Sequence, residues 1–127
     1  MSSPTERRYS ESHEWFQLNG DVVTMGITKY AADELTDITY IELKPTGTAV
    51  KAGSPIGEVE SVKTTSDVYS AVGGTIIEVN NSVTQDPSLL NTDPYAKGWL
   101  VKIKTSDAAP LKNLMDQSTY DRKHPTS

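Results

Sequence analysis

A chain of 127 residues, 35% hydrophobic and 23% charged, has the length of one domain with a modest core, and it holds no run of about 18 apolar residues that could span a membrane. Its formal net charge of -5 argues against a phosphate-neutralising surface, and so against a nucleic-acid partner. The absence of cysteine removes disulfides, zinc-thiolate sites, iron-sulfur clusters and cysteine nucleophiles together, so any thiol chemistry must be imported on a cofactor.

Residues 1–8 are polar and contain Pro4, which predicts a flexible N-terminus with order beginning near Tyr9. Asn19-Gly20 separates two apolar-rich runs and predicts a β-hairpin over residues 14–27, closed by a type I′ turn because both residues tolerate positive φ. Thr28 suits the N-cap of KYAADEL, a run of about two helical turns. DITYIEL reads as a strand, apolar on both faces, that Pro45 and Gly47 end. Further strands are expected over 56–61, 67–70, 75–79 and 100–104. Asp86-Pro87 predicts one helical turn through Leu90, and Pro110 opens another that carries Leu111, Leu114 and Met115. Asp116 to Tyr120 forms a last short turn before a polar tail, 121–127. Such regular turn punctuation favours a mainly β domain over 9–120, a sandwich or barrel with helices as accessories. GTAVKAGSPIGEVES and GGTIIEVNNSV are loosely alike, as two β units about a pseudo-twofold axis would be, and the segment joining them is then a hairpin tip.

Lys63 stands near the centre of that joining segment, GEVESVKTTSDVYSAVGG. A lysine on a tight turn between strands is accessible and rigidly held, as a modifying enzyme requires, although a plain surface lysine pairing loosely with Glu58, Glu60 or Asp67 has the same sequence. The two histidines, His13 and His124, show no metal-ligand spacing, and His124 lies in the polar tail, so no metal site is expected. No GxSxG and no phosphate-binding glycine loop is present. Trp15 and Trp99 are read as packing residues, and Gly73-Gly74 as a turn or bulge.

Four stretches, YSESHEW, GDVVTMGITKYAADEL, GEVESVKTTSDVYSAVGGTIIEVN and NTDPYAKGWLVKIK, occur in an order and spacing that resembles the glycine cleavage H-protein family from Tyr9 to Tyr120. The resemblance implies a barrel-sandwich hybrid with short peripheral helices, and lipoic acid joined to Lys63 through an amide. It implies a carrier with no turnover of its own. A pyridoxal-phosphate glycine decarboxylase loads the aminomethyl group of glycine onto the arm, a tetrahydrofolate-dependent aminomethyltransferase removes it, and dihydrolipoyl dehydrogenase reoxidises the dithiol. A lipoyl-attaching enzyme is a further partner. Positions matching Ser12, Glu14 and Asp67 border the cleft in which the loaded arm rests, where a carboxylate pairs with the protonated amine and water is excluded.

This sequence departs from the family pattern in two places. SAVGG at 70–74 replaces SPVSG, which predicts a looser turn, and TDITYIELKPTG replaces GDIVFVELPEVG, which predicts an altered loop or docking edge. An H-like protein that relays lipoyl groups to other enzymes, and an unmodified β-rich interaction domain, stay open as alternatives. A biotin carrier fits less well, since Val62 and Thr64 rather than methionines flank Lys63, and a Schiff-base lysine would need a desolvated site. No Arg-rich presequence precedes Tyr9, so a bacterial cytoplasmic protein is expected, or a mitochondrial matrix protein for a processed chain. A monomer in transient complexes suits repeated hand-over.

Overall fold

The predicted hairpin forms from β2 (Glu14–Asn19) and β3 (Val22–Ile27) in the computed structural model, which describes residues 7–124. Its turn lies one residue further on than expected. Asn19 pairs with Val22, so Gly20 and Asp21 make the connection, and of these only Gly20 has positive φ, +66°. One positive φ at the first central position is what a type II′ turn requires, whereas type I′ requires two. Order also begins earlier than Tyr9, because β1 (Arg7–Tyr9) pairs with β2. The rest of the predicted N-terminal tail lies outside the described residues.

Three more strands, β5 (Ala49–Val50), β8 (Gly74–Val79) and β9 (Val101–Lys104), complete an antiparallel sheet in the order β1-β2-β3-β9-β8-β5. The second sheet consists of β4 (Ile38–Leu43), β6 (Pro55–Ser61) and β7 (Thr65–Tyr69), in the order β4-β6-β7. Phe16, Met25 and Ile103 of the large sheet share one buried core with Ile41, Val59 and Val68 of the small one. Each such side chain contributes about 1.5–3 kcal/mol. This is the barrel-sandwich hybrid expected. The two loosely similar stretches meet as β5 and β8, antiparallel, with Ala49 opposite Thr75 and Val50 opposite Gly74.

Short helices close the ends of the barrel: α1 (Lys29–Leu35), α2 (Asn81–Gln85), α3 (Leu89–Thr92) and α4 (Gln117–Lys123), with a 3₁₀ turn at Ala109–Asn113. Thr28 caps α1 as predicted, its Oγ1 accepting the Ala31 N–H at 3.1 Å. The turn expected at Asp86-Pro87 is present, with the Leu89 N–H donating to the Asp86 carbonyl and the Leu90 N–H to the Pro87 carbonyl, each at 3.1 Å, and it leads directly into α3. Asp116 caps α4 by accepting the Thr119 N–H at 2.8 Å, and the helix runs to Lys123, so the first residues of the predicted polar tail are helical.

Two strands break the expected alternation. In β4 a register shift between Ile38 and Tyr40 puts the buried residues Ile38 and Ile41 three apart, and Tyr40 stays 50% exposed, so one face of the strand is wet. Strand β2 is instead dry on both faces. Phe16 enters the main core, and Trp15 packs with Tyr9 and Tyr120 in a second cluster that Trp99 also joins. The Trp15 Nε1–H donates to the Pro94 carbonyl at 3.0 Å.

The stretch 70–74 is pinned rather than loose. Buried Ser70 accepts the Val72 N–H at 3.1 Å and donates to the Val72 carbonyl at 2.6 Å, doing by hydrogen bonds what a proline would do by its ring. Gly74 is a strand residue rather than a turn residue. A Cβ there would collide with the Lys104 carbonyl oxygen, so glycine is required by a close backbone approach.

Candidate functional site

Strands β6 and β7 form a hairpin whose tip is residues 62–64, with Lys63 at its centre and exposed. The tip is held from both sides. Ser61 Oγ accepts the N–H groups of Lys63 at 3.1 Å and Thr64 at 3.2 Å, and the Val62 N–H donates to the Asp37 carbonyl at 3.0 Å. The Lys63 ammonium does not pair with Glu58, Glu60 or Asp67. Its Nζ donates to the Glu34 carbonyl at 3.3 Å, near the C-terminal end of α1, where helix carbonyls lack intrahelical partners. No ion pair seen among the described residues involves Lys63.

Glu14 stands at the other end of the site and is only 2% exposed. Its Oε1 accepts hydroxyl hydrogen bonds from Ser10 and Ser12, each at 2.5 Å, and its Oε2 accepts the Tyr69 N–H at 3.0 Å. Burial pushes its pKa above the ordinary carboxylate value, and the serine and Tyr69 hydrogen bonds oppose that rise. Of the residues expected here, Ser12 and Glu14 therefore touch directly. Asp67 joins them through Tyr69, whose hydroxyl donates to Asp67 Oδ2 at 3.4 Å while its main chain donates to Glu14.

Thr65, Asp67 and Tyr69 alternate along β7 and all three are exposed, so they share the face that runs from the lysine tip back to Glu14. From Thr65 to Tyr69 this track is about 13 Å long. Ser10 and Tyr69 are the site residues that sequence reasoning missed. Tyr69 carried a weak signal, two positions from Asp67 on a strand, but its contribution is a main-chain N–H that no residue type announces.

His13 belongs to a different neighbourhood. Its ring lies 4.6 Å from that of His124 and 4.6 Å from that of Tyr30, and Nδ1 is 2.8 Å from Tyr120 Oη. His124 is thus packed by α4 against the body rather than lying in a polar tail. Among the described residues, no group of three or more His, Cys, Asp or Glu is placed to hold a metal ion, and no helix is long and apolar enough to cross a membrane.

A β scaffold that presents one lysine on a hairpin tip, with a buried carboxylate of β2 bonded to the far end of β7, has the layout of a domain that carries a tethered group. That defines a carrier-type domain. The chain matches the family described as glycine cleavage H-protein over residues 7–126. It is 45% identical to the glycine cleavage system H protein of Acinetobacter baumannii over 95% of this chain and 98% of that protein. With the Bacillus licheniformis H protein it shares 45% identity over 95% of both. The mitochondrial H protein 2 of Arabidopsis thaliana is 44% identical over 91% of this chain and 74% of its own length. A crystal structure of a glycine cleavage system H protein from Mycobacterium marinum superposes with a TM-score of 0.84, at 36% identity, over 95% of this chain and 98% of that one. The chain belongs to the glycine cleavage H-protein family.

Proposed function

We propose that this chain is the lipoyl carrier of the glycine cleavage system, with Lys63 as the attachment residue and Ser12, Glu14 and Asp67 as the resting place of the arm. The observation that carries the reading is the track along β7 from an exposed, rigidly held amine to a buried carboxylate. The residues fit a lipoyl group joined by an amide. The Lys63 amine is accessible at the tip, and amide formation removes its charge, leaving the N–H able to keep a bond to a carbonyl such as that of Glu34. When bound, the lipoyl group would supply a disulfide, one sulfur of which takes the aminomethyl carbon of glycine while the other becomes a thiol, the free dithiol following only once that carbon is removed.

The chain's own residues supply shelter. Glu14 offers an anionic acceptor already stripped of most water, so a protonated amine beside it gains a charge-assisted hydrogen bond in a low-dielectric setting. Ser10 and Ser12 keep that carboxylate aimed, and Asp67 adds a second negative charge nearer the tip. The exposed hydroxyl and ring of Tyr69 lie between the two carboxylates. The carrier has no turnover of its own. It works with glycine decarboxylase, the aminomethyltransferase, dihydrolipoyl dehydrogenase and a lipoyl-attaching enzyme, as a monomer, in the bacterial cytoplasm or in the mitochondrial matrix of a eukaryote.

The test is to lipoylate the protein with a ligase, incubate it with glycine and a glycine decarboxylase, and weigh the peptide that contains Lys63. An aminomethyl increment on a lipoylated Lys63 is expected. A lipoylated but unloaded Lys63, with the decarboxylase active on a control carrier, would point to a lipoyl relay instead, and an unmodified Lys63 to an interaction domain.

A further inference from the structure

Ser10 and Ser12 lie in a turn that leads into Glu14, the first residue of β2, and is largely bonded to itself: the Ser10 N–H donates to the Glu14 carbonyl at 2.9 Å, the His13 N–H to the Ser10 carbonyl at 3.1 Å, and the Glu14 N–H to Ser10 Oγ at 3.0 Å. Strand pairing holds its flanks, Tyr9 with Trp15 and Glu14 with Ile27, and His13 ties the turn between them to the body. His13 sits at φ +71°, a left-handed conformation uncommon outside glycine, and its carbonyl accepts the Thr28 N–H at 3.0 Å. Its Nδ1 lies 2.8 Å from Tyr120 Oη, which is in turn 2.8 Å from Thr28 Oγ1.

The proton order in this run can be worked out. Thr28 is fully buried, and its Oγ1 already accepts the Ala31 N–H at 3.1 Å. If Thr28 donates to Tyr120 Oη and Tyr120 donates to His13 Nδ1, both hydroxyl protons are used. In the reverse order the Thr28 proton has no acceptor among the described residues, which a buried hydroxyl tolerates poorly. Tyr120 is 2% exposed and its ring stacks on Tyr9 with centroids 4.8 Å apart. Burial, foremost, pushes its phenol up to about 12, so it keeps the proton that it donates.

We propose that Tyr120, on the C-terminal helix α4, is a positioning residue for the Glu14 carboxylate: through His13 and Thr28 it fixes the 10–13 turn that aims Glu14 at the end of the β7 track. Its functional meaning rests on reading Glu14 as the acceptor for the amine of the loaded arm. The path is continuous, from Tyr120 to His13, along the chain to Glu14, and from Glu14 Oε2 to the Tyr69 N–H on β7.

That last contact provides the readout. Hydrogen exchange at the Tyr69 amide of the full-length lipoylated protein, taken as a ratio to exchange at Val23 in β3, reports the placement of Glu14 apart from global stability. Tyr120→Phe keeps the ring stack and deletes the proton. The ratio is expected to rise roughly two- to tenfold, the factor for one net hydrogen bond. His13→Gly, which adopts positive φ and removes the Nδ1 acceptor, is expected to raise it likewise and serves if Tyr120→Phe folds poorly. A ratio unchanged in both variants means that Tyr120 only packs, and overturns the proposal. The reading of Glu14 as the acceptor for the amine is tested separately by the rate at which the wild-type protein and Glu14→Gln lose a loaded aminomethyl group. Equal rates would remove that reading, while a raised Tyr69 ratio in Tyr120→Phe would still establish that Tyr120 positions Glu14.

Discussion

The two ends of the site are held in opposite ways. Lys63 is exposed, and the backbone around it is fixed by main-chain N–H groups bonded to Ser61 Oγ and the Asp37 carbonyl, so the side chain is free to be modified without disturbing anything beneath it. Glu14 is buried, and it is the side chain itself that is fixed, by two serine hydroxyls and one N–H from another strand. The first arrangement spends no folding energy on the functional group. The second keeps a charge out of water against its preference, as its raised pKa records. On the proposed reading, in which Lys63 carries the arm and Glu14 receives it, presentation and reception call for different physics within one strand's length.

Replacing each end sharpens the contrast. Lys63→Arg should abolish lipoylation completely, as seen by peptide mass, and leave the unfolding free energy within about 0.5 kcal/mol of wild type, since it alters an exposed side chain. Glu14→Gln should do the reverse. The amide oxygen can accept the Tyr69 N–H and the amide nitrogen can donate to both serine oxygens, while exposed Ser12 and half-buried Ser10 turn their hydroxyl protons to water and the buried charge disappears. Stability in denaturant at pH 7 is expected to rise by roughly 0.5–2 kcal/mol, the usual yield when a functional strain is relieved. Lipoylation should be unchanged, while the loaded carbon is lost faster. A Glu14→Gln protein that is clearly less stable at pH 7 would show that the carboxylate is structural.

Much of the presenting end was legible in the sequence. Lys63 lies between recognisable strands, and its place at a hairpin tip followed from the two loosely similar stretches that its segment joins. The receiving end was legible only in part. Ser12, Glu14 and Asp67 came from family resemblance, and Glu14 was correctly read as the start of a strand, but the residue that ties Glu14 to Asp67 is Tyr69, acting in part through its backbone. Strand β5 is two residues long and β1 three, too short for any alternation to show. His124 was misread because the Asp116 cap extends α4 beyond Tyr120, and His13 because its partners, Thr28, Tyr30 and Tyr120, are distant in sequence.

The smallest expected effect sets Glu14 against its own neighbour. Burial, foremost, lowers the His13 pKa; His124, the residue that follows α4, lowers it further, and Glu34 on α1 opposes the shift, with the Tyr30 and Tyr120 rings completing the surroundings. A histidine whose folded pKa lies below the unfolded value of about 6.5 contributes stability that is present above that pH and is lost as pH falls through the folded value. Glu14, with a folded pKa above the ordinary 4.5, contributes stability that is present below that pH and is lost as pH rises through the folded value. Adjacent residues therefore give pH slopes of opposite sign. Unfolding free energies measured from pH 4 to 8 should show the wild type losing ground to Glu14→Gln as pH rises, and losing ground to His13→Asn as pH falls below about 6.5. If both variants shift the curve in the same direction, the two groups share one titration, and the separation between the receiving carboxylate and the residue that anchors its loop does not hold.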